Sequence, residues 1–502
     1  MIINIADYRK KVLGCWMGKN IGGTLGAPME WKRQLNDVSF YQQELDGEPL
    51  PNDDLDIQLL WLIALETCGI HIDAHILSEY WLNFLTPTWV EYGTSKAYLR
   101  AGLMPPLCSI PNNPFKNSCG AFIRSEIWAC ISPGAPDIAA KYAYEDSIID
   151  HGTGEGIYAE MFCAALQSAA FVESDMYKLI DIGLSYIPED CGVAQAVKTT
   201  LECHQHGNDW LECRDEILRR HRGHYLLFAS ISDRDREMGF EDGKMGYDAP
   251  ANIAFMILGW IYGENDFGKS LCLAVNCGED TDCTAATLGA ILGIINGIDH
   301  IPEKWIAPIG RKIKTIALNA GDLRNLPEDI DNLSMRVEKF AKTVLLTWKP
   351  KIELSETKPT SISEEDKQIL RSNGIHEKIL SNLHGPTYRF SECDFQLEYP
   401  DGPFIQEGAS VKIVIKPIPH FHPQTILNIK WYHDNENFTI SPAANSSIFS
   451  GSLGVGTPSR LEYTITATGT VSKINRFAIE MTVDSRHTVM LIPVVLLSGH
   501  LC

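Results

Sequence analysis

Residues 14–30 read GCWMGKNIGGTLGAPME, with glycine at positions 14, 18, 22 and 26. A spacing of four puts all of them on one face of a helix, and Pro28 ends that helix just before Glu30. The same spacing returns at Gly289, Gly293 and Gly297. Each glycine inside a helix costs about 1 kcal/mol relative to alanine. Two such ridges therefore need a compensation, which close approach of another backbone or of a ligand supplies. Outward from the ridges, 57–65 (IQLLWLIAL), 157–171, 249–262 and 284–295 are too long and too rich in Ala and Leu for strands, so the sequence predicts helices throughout this region.

The character changes at Lys349. Residues 349–387 form a Pro/Ser/Thr/Glu-rich linker with a short polar helix expected at 364–383, started by a capping box of Ser361 and Glu364. From Tyr388 onward the apolar period becomes two: 411–415, 426–432, 461–467, 477–483 and 488–496 carry β-branched and aromatic residues between turn residues. The expected organisation is an all-α domain over 1–348, the linker over 349–387 and a small all-β, sandwich-like domain over 388–502.

Composition bounds the function. With 502 residues, 45% of them hydrophobic and 21% charged, the chain belongs with ordinary globular proteins rather than disordered or fibrous ones. Its 64 acidic against 43 basic side chains leave a net charge of -21. That field repels polyanions, and no basic patch offsets it, so neither nucleic acid nor an anionic membrane is expected as a partner. The 14 cysteines are scattered without a Cys-x-x-Cys pair, and Asp7 and Arg9-Lys10-Lys11 stand where a signal peptide would need an apolar core. A cytoplasmic location is expected, with the oligomeric state left open.

Chemistry concentrates at two helix starts. Asn52-Asp53-Asp54-Leu55-Asp56 precedes one apolar helix, and Glu279-Asp280-Thr281-Asp282 precedes another. One acid at such a place is explained as an N-cap in the favourable field of the helix. Several adjacent acids are not, because like charges repel and a cap needs only one, so the pair of clusters suggests a hard-cation site built from carboxylates. Glu30, on the loop after the first ridge, is a third acid placed to act on a ligand. His151-Gly152-Thr153-Gly154-Glu155-Gly156 leads into a helix whose free N–H groups can hold an anion such as a pyrophosphate, or it is a plain helix-entry turn. It is not a nucleotide P-loop. Cys203-His204-Gln205-His206 with Cys213 lacks paired zinc spacing, and neither Gly-x-Ser-x-Gly nor His-Glu-x-x-His occurs.

Taken together, these segments resemble the ADP-ribosylglycohydrolase family over roughly residues 10–345. Gly14 to Glu30 looks like that family's opening helix and its acid, Asn52-Asp53-Asp54 like its Thr-Asp-Asp motif, and Gly278-Glu279-Asp280-Thr281-Asp282-Cys283-Thr284-Ala285-Ala286 like its Gly-Asp-Thr-Asp-Thr-x-Ala motif. The resemblance implies an all-α fold with one or two Mg²⁺ ions, or Mn²⁺, between the acidic motifs. It also implies hydrolysis of the glycosidic bond at the anomeric carbon of an ADP-ribosyl group, free or linked to protein. Carried over by position, Asp53, Asp54, Asp280 and Asp282 are expected to bind metal, with Asn52 and Cys283 where the family has threonine. Glu30, Asp53 and Asp54 are the expected catalytic residues, and His151, Gly154, Glu155 and Gly156 the expected substrate contacts. An Asn amide oxygen still suits a hard cation, whereas a thiol is a poor Mg²⁺ ligand. These departures leave room for a different riboside or furanoside as substrate, with the β domain holding a glycan. A non-catalytic binding or structural role is the third reading, and retention of Glu30 and the four aspartates speaks against it.

Overall fold

The computed structural model describes residues 1–30, 32–222, 230–237, 246–319, 321, 323–381, 385–420, 424–433, 435–442, 444–450 and 460–499. Its contacts divide the chain into a helical unit, Met1–Gly93 with Pro114–Leu380, and a second unit, Thr94–Asn113 with Ser381–Cys502.

The glycine ridges organise the helical unit. Helices Ile5–Gly26 and Thr281–Asn296 lie antiparallel against each other. A β-carbon at Gly14, Gly18, Gly22 or Gly26 would overlap the backbone of Gly293, Gly289, Ala285 or Thr281 respectively. The partner of each ridge is thus the other ridge, and close helix packing is the compensation for glycine. Gly297 does not join it: with φ of 76° it terminates its helix, and the Lys11 ammonium donates to the last carbonyls, Ile294 at 2.8 Å and Ile295 at 3.0 Å. Helices Asp53–Cys68, Glu155–Ala169 and Ala249–Gly263 realise the other apolar segments. None of the helices among the described residues is long and apolar enough to cross a membrane.

Residues following Lys349 return to the start of the chain. Strand Glu353–Ser355 pairs in parallel with Ile2–Asn4, and the Ser361 N–H donates to the Ile2 carbonyl at 2.9 Å. This pairing places 349–380, read from composition as linker, with the helical unit. The expected capping box closes two residues later: Ser363 Oγ accepts from the Asp366 N–H at 3.1 Å, and Asp366 accepts from the Ser363 N–H at 3.2 Å. In place of one polar helix there is a 3-10 turn, Asp366–Leu370, and a short helix, Ile375–Leu380; residues 382 and 383 of the expected span lie outside the described residues.

The second unit is a β-sandwich. Among the described residues one sheet runs Phe438–Ser441, Leu461–Ala467, Ser410–Pro419, Cys393–Glu398, Thr387–Tyr388 in spatial order. The other runs Ala444–Ser450, Gln424–Tyr432, Ile474–Val483, Val489–Ser498, Phe404–Ile405. Alternate residues of both sheets, among them Phe395, Ile413, Tyr463, Trp431, Ile479 and Ile492, share one core, as the period of two requires. Leu103 and Leu107 join that core from 94–113, a segment whose sequence carries no β pattern.

Candidate active site

The ridge packing brings three chain segments together. Gly26 ends the first helix against Thr281 and Asp282, and the Thr281 hydroxyl donates to the Gly26 carbonyl at 2.9 Å. A 3-10 turn, Ala27–Met29, carries Pro28 and delivers Glu30. Gly23 leaves space for the Asn52 amide, which fixes the acidic helix start at 52–56 beside the first helix. Glu30, Asn52, Asp53, Asp54, Asp280, Asp282 and Cys283 consequently all line one cavity of about 580 Å³.

Within each cluster the acids separate by partner. Asn52 Oδ1 accepts the Asp54 N–H at 2.8 Å, so the residue expected as a metal ligand is the N-cap of its helix. Asp56 accepts the Ile316 and Ala317 N–H groups at 2.7 and 2.6 Å and pins the chain that follows the ridges. Glu279 is held at 3.2 Å by the Arg33 guanidinium and at 2.5 Å by Arg222. Asp280 occupies the N-cap position of its helix, yet its side chain makes no capping bond. Oδ1 of Asp280 and Oδ1 of Asp282 are buried without a hydrogen-bond partner.

Two sets of donor atoms converge: Glu30, Asp280 and Asp282, and Asp54, Asp282 and Cys283, each set lying within 4.8 Å of one another. Asp282 belongs to both. Lys19, from the first ridge helix, stands 3.2 Å from Asp54 and also donates to the Ile123 carbonyl at 2.6 Å. Burial pushes the Asp53 and Asp54 carboxyls up to about 6, Asp53 further through Asp54, while Lys19 draws Asp54 back down. Burial raises Asp280 and Asp282 as well, and the charges of Asp282 and Glu30 raise Asp280 further. Buried carboxylates that repel one another and present unpartnered oxygens fit divalent cations, which would remove the repulsion. The Cys283 thiol, whose Sγ donates to Asp54 Oδ1 at 3.6 Å, is the one soft donor in either set.

The glycine turn stands apart from the cavity lining. His151, Gly154, Glu155 and Gly156 are not among the residues lining the cavity. The His151 ring lies within a buried chain, with Asp150 Oδ1 at 2.8 Å on Nδ1 and Ser118 Oγ at 3.0 Å on Nε2. A β-carbon at Gly156 would strike that ring, and one at Gly154 the Lys116 carbonyl. Glu155 accepts the Val193 N–H at 2.9 Å at the start of another helix. Each of the four thus has a close contact within the protein, and the His151 donor atoms lie within 4.8 Å of those of Asp150 and of Glu91.

Sequence reasoning missed Glu91. Its side chain lines the cavity, only 3% exposed, with Oε2 lacking a hydrogen-bond partner. Burial lifts its carboxyl to about 7, against the pull of His151. No motif marks it in Trp89-Val90-Glu91-Tyr92; only the fold sets it opposite the aspartates. Tyr92 beside it donates its hydroxyl to Asp53 at 3.1 Å, and Trp89 and Tyr247 add aromatic wall.

Over 316 residues the chain is 27% identical to an uncharacterized protein of Archaeoglobus fulgidus, covering 59% of this chain and 90% of the relative. A solved ADP-ribosylglycohydrolase-related protein complex overlaps 67% of this chain and 99% of its own, at 17% identity and a TM-score of 0.45. A conjugative transposon lipoprotein from Bacteroides eggerthii overlaps 20% of this chain and 95% of its own, at 12% identity and a TM-score of 0.16. The profile of the ADP-ribosylglycohydrolase family matches residues 4–338, which take in the ridges and both acidic helix starts, and the chain belongs to that family.

Proposed function

We propose that the chain is a metal-dependent glycoside hydrolase that cleaves the bond at the anomeric carbon of an ADP-ribosyl group. The observation that carries this reading is the convergence of Glu30, Asp280 and Asp282 with Asp54 and Cys283 on one cavity. Asp53, Asp54, Asp280 and Asp282 would hold one or two divalent ions, Mg²⁺ or Mn²⁺ by the oxygen donors. When bound, such ions supply Lewis acidity toward ribose hydroxyls and water. Tyr92 keeps Asp53 oriented through its hydroxyl. Glu30 takes a proton from the attacking water, whose oxygen bonds to the anomeric carbon as the leaving group departs and is protonated. Glu91, with a carboxyl near 7, is suited to carry that second proton because both of its forms are populated at neutral pH. Val90, Ile123 and Ile316 supply apolar wall beside these groups.

Release of ADP-ribose from arginine- or serine-modified protein tests the reading. Turnover is expected with Mg²⁺ or Mn²⁺, is lost on chelation, and falls by about 10²–10⁴ in Asp53→Ala and Asp282→Ala. Full activity in those variants would remove the site assignment. One observation favours a second substrate class: the described residues lining the cavity include six acids and no Lys or Arg to receive a pyrophosphate. A panel of small furanosides discriminates, since that class requires cleavage without the diphosphate.

A further inference from the structure

We propose that the Asp54, Asp282 and Cys283 position is a mixed carboxylate–thiolate site for a borderline divalent cation of the Zn²⁺, Fe²⁺ or Co²⁺ class, beside an all-oxygen position at Glu30, Asp280 and Asp282. This rests on the metal-dependent reading above and adds a chemical difference between its two halves.

Two observations carry it. The donor atoms of Asp54, Asp282 and Cys283 lie within 4.8 Å of one another, and the sulfur already contacts Asp54 Oδ1 at 3.6 Å. Asp282 Oδ1, buried to 95% and lining the cavity, has no hydrogen-bond partner to satisfy it.

Ligand softness then decides between ions. Thiolates favour Zn²⁺, Fe²⁺ and Co²⁺ over Mg²⁺, which is held by hard oxygens and dehydrates reluctantly. On binding, the Cys283 S–H bond breaks, its proton passes to the buffer and the sulfur lone pair forms the bond to the metal, with no change of oxidation state. The neighbouring position offers carboxylate oxygens alone and stays hard.

Titration of the full-length protein with Co²⁺, followed by optical absorption, is the test. A thiolate-to-cobalt charge-transfer band in the near ultraviolet is expected, abolished by Zn²⁺ and persisting under excess Mg²⁺. It is expected to vanish in both Cys283→Thr and Cys283→Ser, two variants so that poor folding of one does not end the test. Cys119→Ser, which removes the other thiol lining the cavity, is expected to keep the band. Co²⁺ binding without the band, or a band that survives loss of Cys283, overturns the inference. Mg²⁺-supported hydrolysis without a thiolate band overturns this inference and leaves the hydrolase reading standing. A Cys283-dependent band without hydrolysis of any riboside does the reverse.

Discussion

The helix starts at 52–56 and 279–282 look alike as sequence, each a run of acids ahead of an apolar helix, and differ in how the fold treats them. In the first, a neutral residue, Asn52, caps the helix, Asp56 is satisfied by two backbone N–H groups, and Asp53 and Asp54 remain for the cavity. In the second, Glu279 is neutralised by arginine, the cap position makes no capping bond, and Asp280 and Asp282 remain. A cluster of acids is therefore not one feature. Each start contains carboxylates that hold the fold and carboxylates that line one cavity. The two kinds should respond to substitution with opposite signs.

The largest effect is expected at Asp282, the residue common to both donor sets. Asp282→Ala should lower turnover by about 10³ or more, because it weakens both proposed metal positions at once. In chelator, the same variant should melt at the wild-type temperature or above it, since a buried carboxylate repelled by its neighbours has gone. An apo-protein clearly less stable than wild type would put Asp282 with the structural acids. Glu279→Ala is the opposite case. It strands the Arg33 guanidinium, itself 1% exposed, and should cost about 3–5 kcal/mol in urea unfolding with or without metal.

The ridges test how the two starts are held together. Gly22→Ala places a methyl group on the Ala285 backbone, where no side chain can yield, and should cost about 1–3 kcal/mol. Because the first helix leads into Glu30 where the second begins at Asp282, the variant should also bind Mn²⁺ more weakly in calorimetry. A destabilised protein with unchanged Mn²⁺ affinity would separate the ridge from the site.

How much of this was legible follows from what spacing encodes. Glycine every fourth residue fixes a face, and acids before an apolar run fix a helix start, so both helices and most strands of the second unit could be read directly. Which surface the ridge meets is a long-range fact: Gly18 and Gly289 are far apart in the chain, and either could have packed elsewhere. The turn at His151–Gly156 shows the limit most clearly. Glycines that admit an anion and glycines that admit the Lys116 carbonyl or the His151 ring are written identically. Glu91 and Lys19 carry no pattern at all, because a single charged residue inside an apolar or mixed segment acquires meaning only from what the fold sets opposite it. The 94–113 segment joins the β core through Leu103 and Leu107, two apolar residues that any helical domain could have used.

The smallest effect is the sharpest test of the contrast between the two starts. Asn52→Ala deletes the acceptor for the Asp54 N–H and should cost about 1 kcal/mol, the ordinary value of an N-cap. Asp280→Asn keeps the shape of the corresponding position in the other helix and removes only its charge. Since the Asp280 side chain caps nothing and its carboxyl is raised by burial and by Asp282 and Glu30, neutralising it should leave the metal-free protein as stable as wild type or more so. The two variants should separate again with metal present: saturating Mn²⁺ should raise the melting temperature of Asn52→Ala much as it does for wild type and raise that of Asp280→Asn less. A cost in chelator as large as that of Asn52→Ala would mean that the Asp280 charge is itself satisfied in the metal-free fold, since asparagine would keep any cap, and the second start would then be structural throughout.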